Sequence, residues 1–204
     1  MNTFTSIADT IPAPRVKPPV KTHLDPALVT VLGCAAGFLL MLSACLTLAG
    51  RHEATNLAIG GNAALALFGV LSMDRPYRRF WRPALLALVG AGLTGLAMSI
   101  LPVQHVPGIQ AALVRFGLEG LLIIFQLSAT ALVAMGWATA GRSPKRLRAA
   151  AICAGLLATL HLAQALHGVL DPGAALLWGH AAGLLFAFWL IRTAFCLLRP
   201  RFRA

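Results

Sequence analysis

The chain has 204 residues, 58% of them apolar and only 11% charged, with a mean hydropathy of +0.79. A water-soluble domain carries about 45–50% apolar and roughly 25% charged residues. The composition therefore excludes a soluble enzyme, a disulfide scaffold and a disordered chain, and it leads to an all-α, multispanning membrane protein. In such a protein the net charge of +11 reports topology first and nucleic acid only second.

In chain order, residues 1–26 are polar and carry Pro12, Pro14, Pro18, Pro19 and Pro26, the signature of a flexible tail. Six apolar stretches follow, at 27–50, 55–73, 83–101, 109–140, 147–170 and 173–198. Their lengths match or exceed the ~20 residues that cross a ~30 Å hydrocarbon layer as a helix. Residues 27–198 are thus expected to form one six-helix transmembrane domain, and 199–204 a basic tail. No apolar segment precedes the first span, so that span reads as an uncleaved signal anchor.

The loops give the orientation. Arg15, Lys17 and Lys21 precede the first span, and Arg75, Arg78, Arg79 and Arg82 lie between the second and third. Arg142, Lys145, Arg146 and Arg148 separate the fourth and fifth, and Arg199, Arg201 and Arg203 close the chain. The intervening loops hold only Arg51. Short loops rich in Lys and Arg stay in the cytoplasm, so both termini are expected there, in a bacterial inner membrane. The same face is suited to anionic lipid. Its charges are divided among short loops with few aromatic residues, so no nucleic-acid partner is expected.

Small residues mark close helix packing. Gly33 and Gly37 form a GxxxG pair, Gly92, Gly95 and Ser99 share one face, and His180, Gly183 and Ala187 share another. Cys34, Cys45, Cys153 and Cys196 have no CxxC or metal-site spacing and are expected to be inert buried thiols.

Polar side chains inside apolar helices are costly and therefore informative. In the fourth span Arg115, Glu119 and Gln126 share a face, with Arg115 placed as counter-ion to Glu119. The fifth carries His161, Gln164 and His167, the sixth His180 and the second Asn62. At ~1.5 Å rise per residue, Glu119, His161, His180 and Asn62 fall about 10–15 Å from the outer ends of their helices. Four helices thus bring a polar group to one layer, with His52, His105 and His167 nearer the outer surface. One reading is structural, the groups bonding between helices to fix packing. The other is a functional pocket in the outer half of the bilayer, with Asn62, Arg115, Gln164 and His167 binding and Glu119, His161 and His180 as catalytic candidates. No cofactor is expected. A divalent metal would have Glu119, His161 and His180 as ligands, but HExxH and any i, i+4 ligand pair are absent. A b-type haem between His161 and His180 would need helices further apart than the short fifth-to-sixth connection allows.

Three stretches resemble the rhomboid intramembrane proteases. Gly117-Leu118-Glu119-Gly120 resembles the GxSG stretch of their fourth helix. Gly179-His180-Ala181-Ala182-Gly183 is similar to the sixth helix, where a His precedes a glycine-rich face, and Gly61-Asn62-Ala63-Ala64-Leu65 to the second, where an Asn assists at the oxyanion. Six spans with both ends inside also match the minimal rhomboid layout. Glu119 occupies the serine position, Ala58 stands where a His is often found, and the long loop between the first two helices is missing. A carboxylate cannot replace the hydroxyl nucleophile. The resemblance therefore implies a non-catalytic, client-binding bundle or a membrane-complex subunit that meets other membrane proteins. The alternative is a membrane enzyme or a metal or haem redox protein using Glu119, His161 and His180.

Overall fold

The computed structural model describes residues 25–51, 53–73, 80–101, 109–139 and 144–198. It contains α1 (Pro26–Leu48), α2 (Ala54–Met73), α3 (Trp81–Ile100), α4 (Ile109–Thr139), α5 (Pro144–Leu170) and α6 (Pro172–Leu198), with no strand among the described residues. All six helices contain segments long and apolar enough to cross a membrane, and the chain is a multi-pass membrane protein. In lipid, a helix satisfies its backbone groups within its own segment, which is why long apolar runs adopt it.

The ends are set by local chemistry. Asp25 Oδ1 accepts from Ala27 N (2.8 Å) at the start of α1. Asp171 Oδ1 does the same for Gly173 N (2.9 Å) and Ala174 N (3.3 Å) at the start of α6. Each Asp is followed by a proline, whose missing N–H is harmless at the first helical position. Gly50, at φ 69°, ends α1. Its N–H meets Thr47 O (3.0 Å) while Arg51 N–H meets Leu46 O (2.9 Å), the paired bonds of a glycine-terminated helix.

The six helices form an up-and-down ring. The extensive contacts run α1–α2, α2–α3, α3–α4, α4–α5 and α5–α6, and α6 returns to α1. Glycines let backbones approach at these seams. A Cβ on Gly92 would lie 2.6 Å from Ala66 N and 2.8 Å from Asn62 O, so α2 and α3 touch main chain to main chain. A Cβ on Gly37 would lie 2.9 Å from Ala187 O, and one on Gly33 would be 2.8 Å from the Cβ of Ala194, which is how α1 meets α6. The α4–α5 seam is the least extensive of the six.

The half of the ring nearest the chain ends is solid. Val29, Phe68, Leu85, Leu88, Val133 and Leu190 are buried there, toward the beginning of α1 and α3 and the end of α2, α4 and α6, and Leu157 and Phe186 are buried at the middle of α5 and α6. Large apolar side chains such as Phe38, Leu86, Phe116, Leu162 and Phe188 face outward, as a lipid-facing surface requires. Cysteine placement departs from expectation: Cys45 is exposed, while Cys34, Cys153 and Cys196 are half-buried and free. On a lipid-facing helix an apolar thiol need not be covered by protein.

The Gly92 contact predicts that Gly92→Ala separates α2 from α3 and costs about 1–3 kcal/mol, the usual range for overpacking. Gly155→Ala, whose Cβ would meet nothing within 4 Å, should leave stability unchanged or slightly raised. Thermal unfolding of both variants in one detergent checks the contrast, and equal melting temperatures would refute it.

Candidate functional site

The half of the ring away from the chain ends is not filled. It holds a cavity of about 350 Å³ to which every helix contributes. Leu40, Ser43 and Thr47 come from α1, Asn62 and Leu65 from α2, Met98 and Ser99 from α3, Glu119 and Gln126 from α4, His161 and Gln164 from α5, and His180 and Phe186 from α6. The four residues placed at one depth by helical rise (Asn62, Glu119, His161 and His180) all line this one cavity.

Asn62 is buried and packs directly on Gly95, where a Cβ would fall within 2.6 Å of the Asn62 Cγ. Glycine on α3 is thus what gives the Asn62 amide its place. The hydroxyls lining the cavity are engaged with backbone carbonyls. Ser43 Oγ donates to Ala54 O (2.7 Å), Thr47 Oγ1 to Ser43 O (2.9 Å) and Ser99 Oγ to Gly95 O (2.8 Å). Each hydroxyl proton is then committed, and none of these three is paired with an imidazole as a nucleophile would be.

His161 is buried and joins two helices. Its Nε2 lies 3.0 Å from Gln126 Oε1 on α4 and its Nδ1 3.2 Å from Gln164 Oε1 on its own helix. An amide oxygen only accepts and a neutral imidazole donates once, so in the neutral state one amide presents its NH2 to the ring instead. Gln164 in turn lies over Gly179, where a Cβ would be 3.0 Å from its Nε2. The chain Gln126–His161–Gln164 therefore clasps α4 to α5 and leans α5 on α6. At the other end of the α4–α5 seam, Arg146 lies 5.6 Å from the ring centre of Trp137.

His180 is held differently. Its Nδ1 is 2.6 Å from Leu176 O, and because a carbonyl cannot donate, Nδ1 carries the proton. In the neutral ring Nε2 is then the acceptor, on a side chain that lines the cavity. His167 does not join this group; it stacks on Trp178 with ring centroids 6.2 Å apart. The side chain of Arg115 lies outside the described residues, as do His52 and His105, so their expected roles have no structural counterpart here.

Among the described residues, no three His, Cys, Asp or Glu side chains are grouped closely enough to hold a metal ion. Both ring nitrogens of His161 are also engaged by amides, so its use as a metal or haem ligand would break the α4–α5 clasp. The arrangement suits binding better. It offers amides, one carboxyl and one imidazole acceptor, with apolar Leu40, Leu65, Met98 and Phe186 between them. The sequence places Gln126 on the Glu119 face without showing its bond to His161, marks Ser99 only as a packing residue, and gives no sign of Ser43, Thr47 and Met98. The spacing of Glu119 and Gln126, seven residues or about two turns, was the available signal. Comparison with known protein families, characterised proteins and solved structures found no match to this chain.

His161→Ala should remove the clasp and leave buried Gln126 without that partner, costing about 1–3 kcal/mol. Thr159→Ala, on an exposed residue bonded only within its own helix turn, should stay within about 0.5 kcal/mol of the parent. A melting temperature for His161→Ala equal to that of the parent would show that the clasp does not hold the seam.

Proposed function

We propose that this multi-pass membrane protein is a non-catalytic binding protein, whose cavity seats a small polar or amphipathic ligand or a side chain offered by a client membrane protein. The observation that carries this reading is the convergence of Asn62, Glu119, Gln126, His161, Gln164 and His180 on one cavity in an otherwise apolar bundle. Its volume, about 350 Å³, is at the small end of ligand pockets, typically about 300–1,000 Å³. A whole helix would not enter it. A side chain or a compact ligand would.

The rhomboid-like reading belongs to this proposal. The three residues at its motif positions, Asn62, Glu119 and His180, line the same cavity. With a carboxylate at the serine position, such a bundle would hold a client without cutting it. The positive loops support an arrangement in which both termini are cytoplasmic, in a bacterial inner membrane, with the cavity in the outer half of the bilayer. An enzymatic, metal or haem role for Glu119, His161 and His180 has less support, because His161 is engaged at both nitrogens and the cavity hydroxyls at their protons.

Gly183 provides the test. It lines the cavity and a Cβ there would meet nothing within 4 Å. Gly183→Leu should therefore fill the cavity while leaving the melting temperature unchanged or raised. Native mass spectrometry of gently extracted protein should show a bound molecule or client on the parent chain and its loss from the variant. The same bound species at the same occupancy on both would overturn the proposal, as would a parent chain that carries nothing.

A further inference from the structure

The walls of the central cavity are unequal in what they can donate and accept. Asn62 is only 8% exposed, yet its amide has no hydrogen-bond partner among the described residues. The amide atoms are not sealed in protein, and the surface they reach is the cavity. A buried amide left without bonds is costly, and removal of that cost falls to whatever enters the cavity.

The other groups around it mostly accept. Ser43 Oγ, Thr47 Oγ1 and Ser99 Oγ give their protons to backbone carbonyls, which leaves each of them only lone pairs to offer. His180 Nδ1 gives its proton to Leu176 O, so in the neutral ring Nε2 is an acceptor too. Glu119 already has an interaction of its own. Ionised, it has no proton to give, so it adds acceptors to the wall or nothing. Gln126 and Gln164 share their amides with His161. Among the described lining residues the remaining side-chain N–H groups belong to amides, and none is a Lys or Arg. A phosphate or carboxylate only accepts, and it would meet a wall that mostly accepts and holds no fixed positive charge. A group that donates fits it.

We propose that the cavity takes a primary amine and that Asn62 is the residue that selects it. This rests on the binding role proposed above and names the chemistry of its ligand. An ammonium donates three protons, to the acceptors of the wall and to the Asn62 carbonyl; a neutral amine donates two and accepts one from the Asn62 NH2. The unpaired amide serves both protonation states because it offers a donor and an acceptor. Apolar Leu40, Leu65, Met98 and Phe186 line the same cavity and suit a short alkyl stem. A free alkylamine and the ethanolamine head group of a lipid share this chemistry.

The test compares thermal unfolding of the full chain with that of Gly183→Leu, which should fill the cavity, in one neutral detergent at fixed pH and ionic strength. Each is titrated with n-butylamine, with n-butyrate, and with phosphatidylethanolamine or phosphatidylcholine of the same acyl chains. An amine should raise the melting temperature of the parent chain and not that of Gly183→Leu, a difference that cancels effects on the detergent. A shift with n-butylamine assigns a free amine; a shift with phosphatidylethanolamine alone, and not phosphatidylcholine, assigns the head group. n-Butyrate should shift neither chain. The midpoint for the amine that acts should rise about tenfold in Asn62→Leu or, where that variant does not fold, in Asn62→Ala, the loss of one hydrogen bond to a charged group. An equal shift with n-butyrate, the absence of a parent-specific shift with either amine, or an unchanged midpoint in the Asn62 variant would overturn the proposal. Loss of some other bound species from Gly183→Leu in native mass spectrometry would still support a binding cavity, so the two readings fail separately.

Discussion

Five of the six seams in this ring join helices that are consecutive in sequence, and short connections keep those neighbours together. The seam between α1 and α6 has no such help and must be made by packing alone. It is made by small residues: Gly33 faces Phe68 and Ala194, and Gly37 faces Ile191 and the carbonyl of Ala187. Between helices in lipid no hydrophobic driving force favours association, so closeness of approach and the dispersion contacts it permits decide the matter. Removing that approach would open the ring into a curved row of helices and leave the polar residues facing lipid.

A closed ring of six helices has an interior that side chains either fill or leave open. Near the chain ends Phe68, Leu85, Leu88 and Leu190 fill it. Toward the other end Gly179 and Gly183 on α6, Gly95 on α3 and Ala58 on α2 line the interior with little bulk, and the cavity results. Hydroxyls such as Thr30, Ser72 and Thr193 are buried in the filled half, but the amides, the carboxyl of Glu119 and the imidazoles of His161 and His180 gather around the cavity, where the deepest of them satisfy one another. The same clasp, Gln126–His161–Gln164, strengthens the seam with the least packing. A structural role and a binding role are thus compatible in this layer: His161 holds helices together, while His180, its ring oriented by Leu176 O, turns Nε2 away from that bond on a side chain that lines the cavity.

Much of the fold was legible in the sequence. The six apolar runs were found, and their limits differ from the helices by at most three residues. The helices mostly begin earlier than the runs, because α5 starts at Pro144 and α3 at Trp81, in polar or interfacial residues that hydropathy does not count. The shared depth of Asn62, Glu119, His161 and His180 followed from rise per residue, and the cavity contains all four. Pairings were not legible. That His161 would reach Gln126, thirty-five residues earlier, depends on which helices are neighbours and how each is rotated, and no periodicity within a helix encodes that. His167 is three residues beyond Gln164 and so lies on the same broad face of α5 as His161 and Gln164, yet the further turn carries it past the cavity to Trp178. Small residues announced close packing at Gly33, Gly37, Gly92 and Gly95, but which partner each would meet was a property of the ring.

The closure of the ring is the claim on which the cavity depends, and it can be tested by one cross-link. In a chain whose Cys45, Cys153 and Cys196 are replaced by alanine, a cysteine is placed at exposed Phe195 on α6, which lines one groove with the native Cys34 on α1, so that the seam glycines are kept. A short, reducible thiol-to-thiol cross-linker in native membranes should join the two within one chain, change migration of the monomer and be reversed by reductant. Failure to cross-link, or cross-linking only between two chains, would contradict a ring closed by α1 and α6.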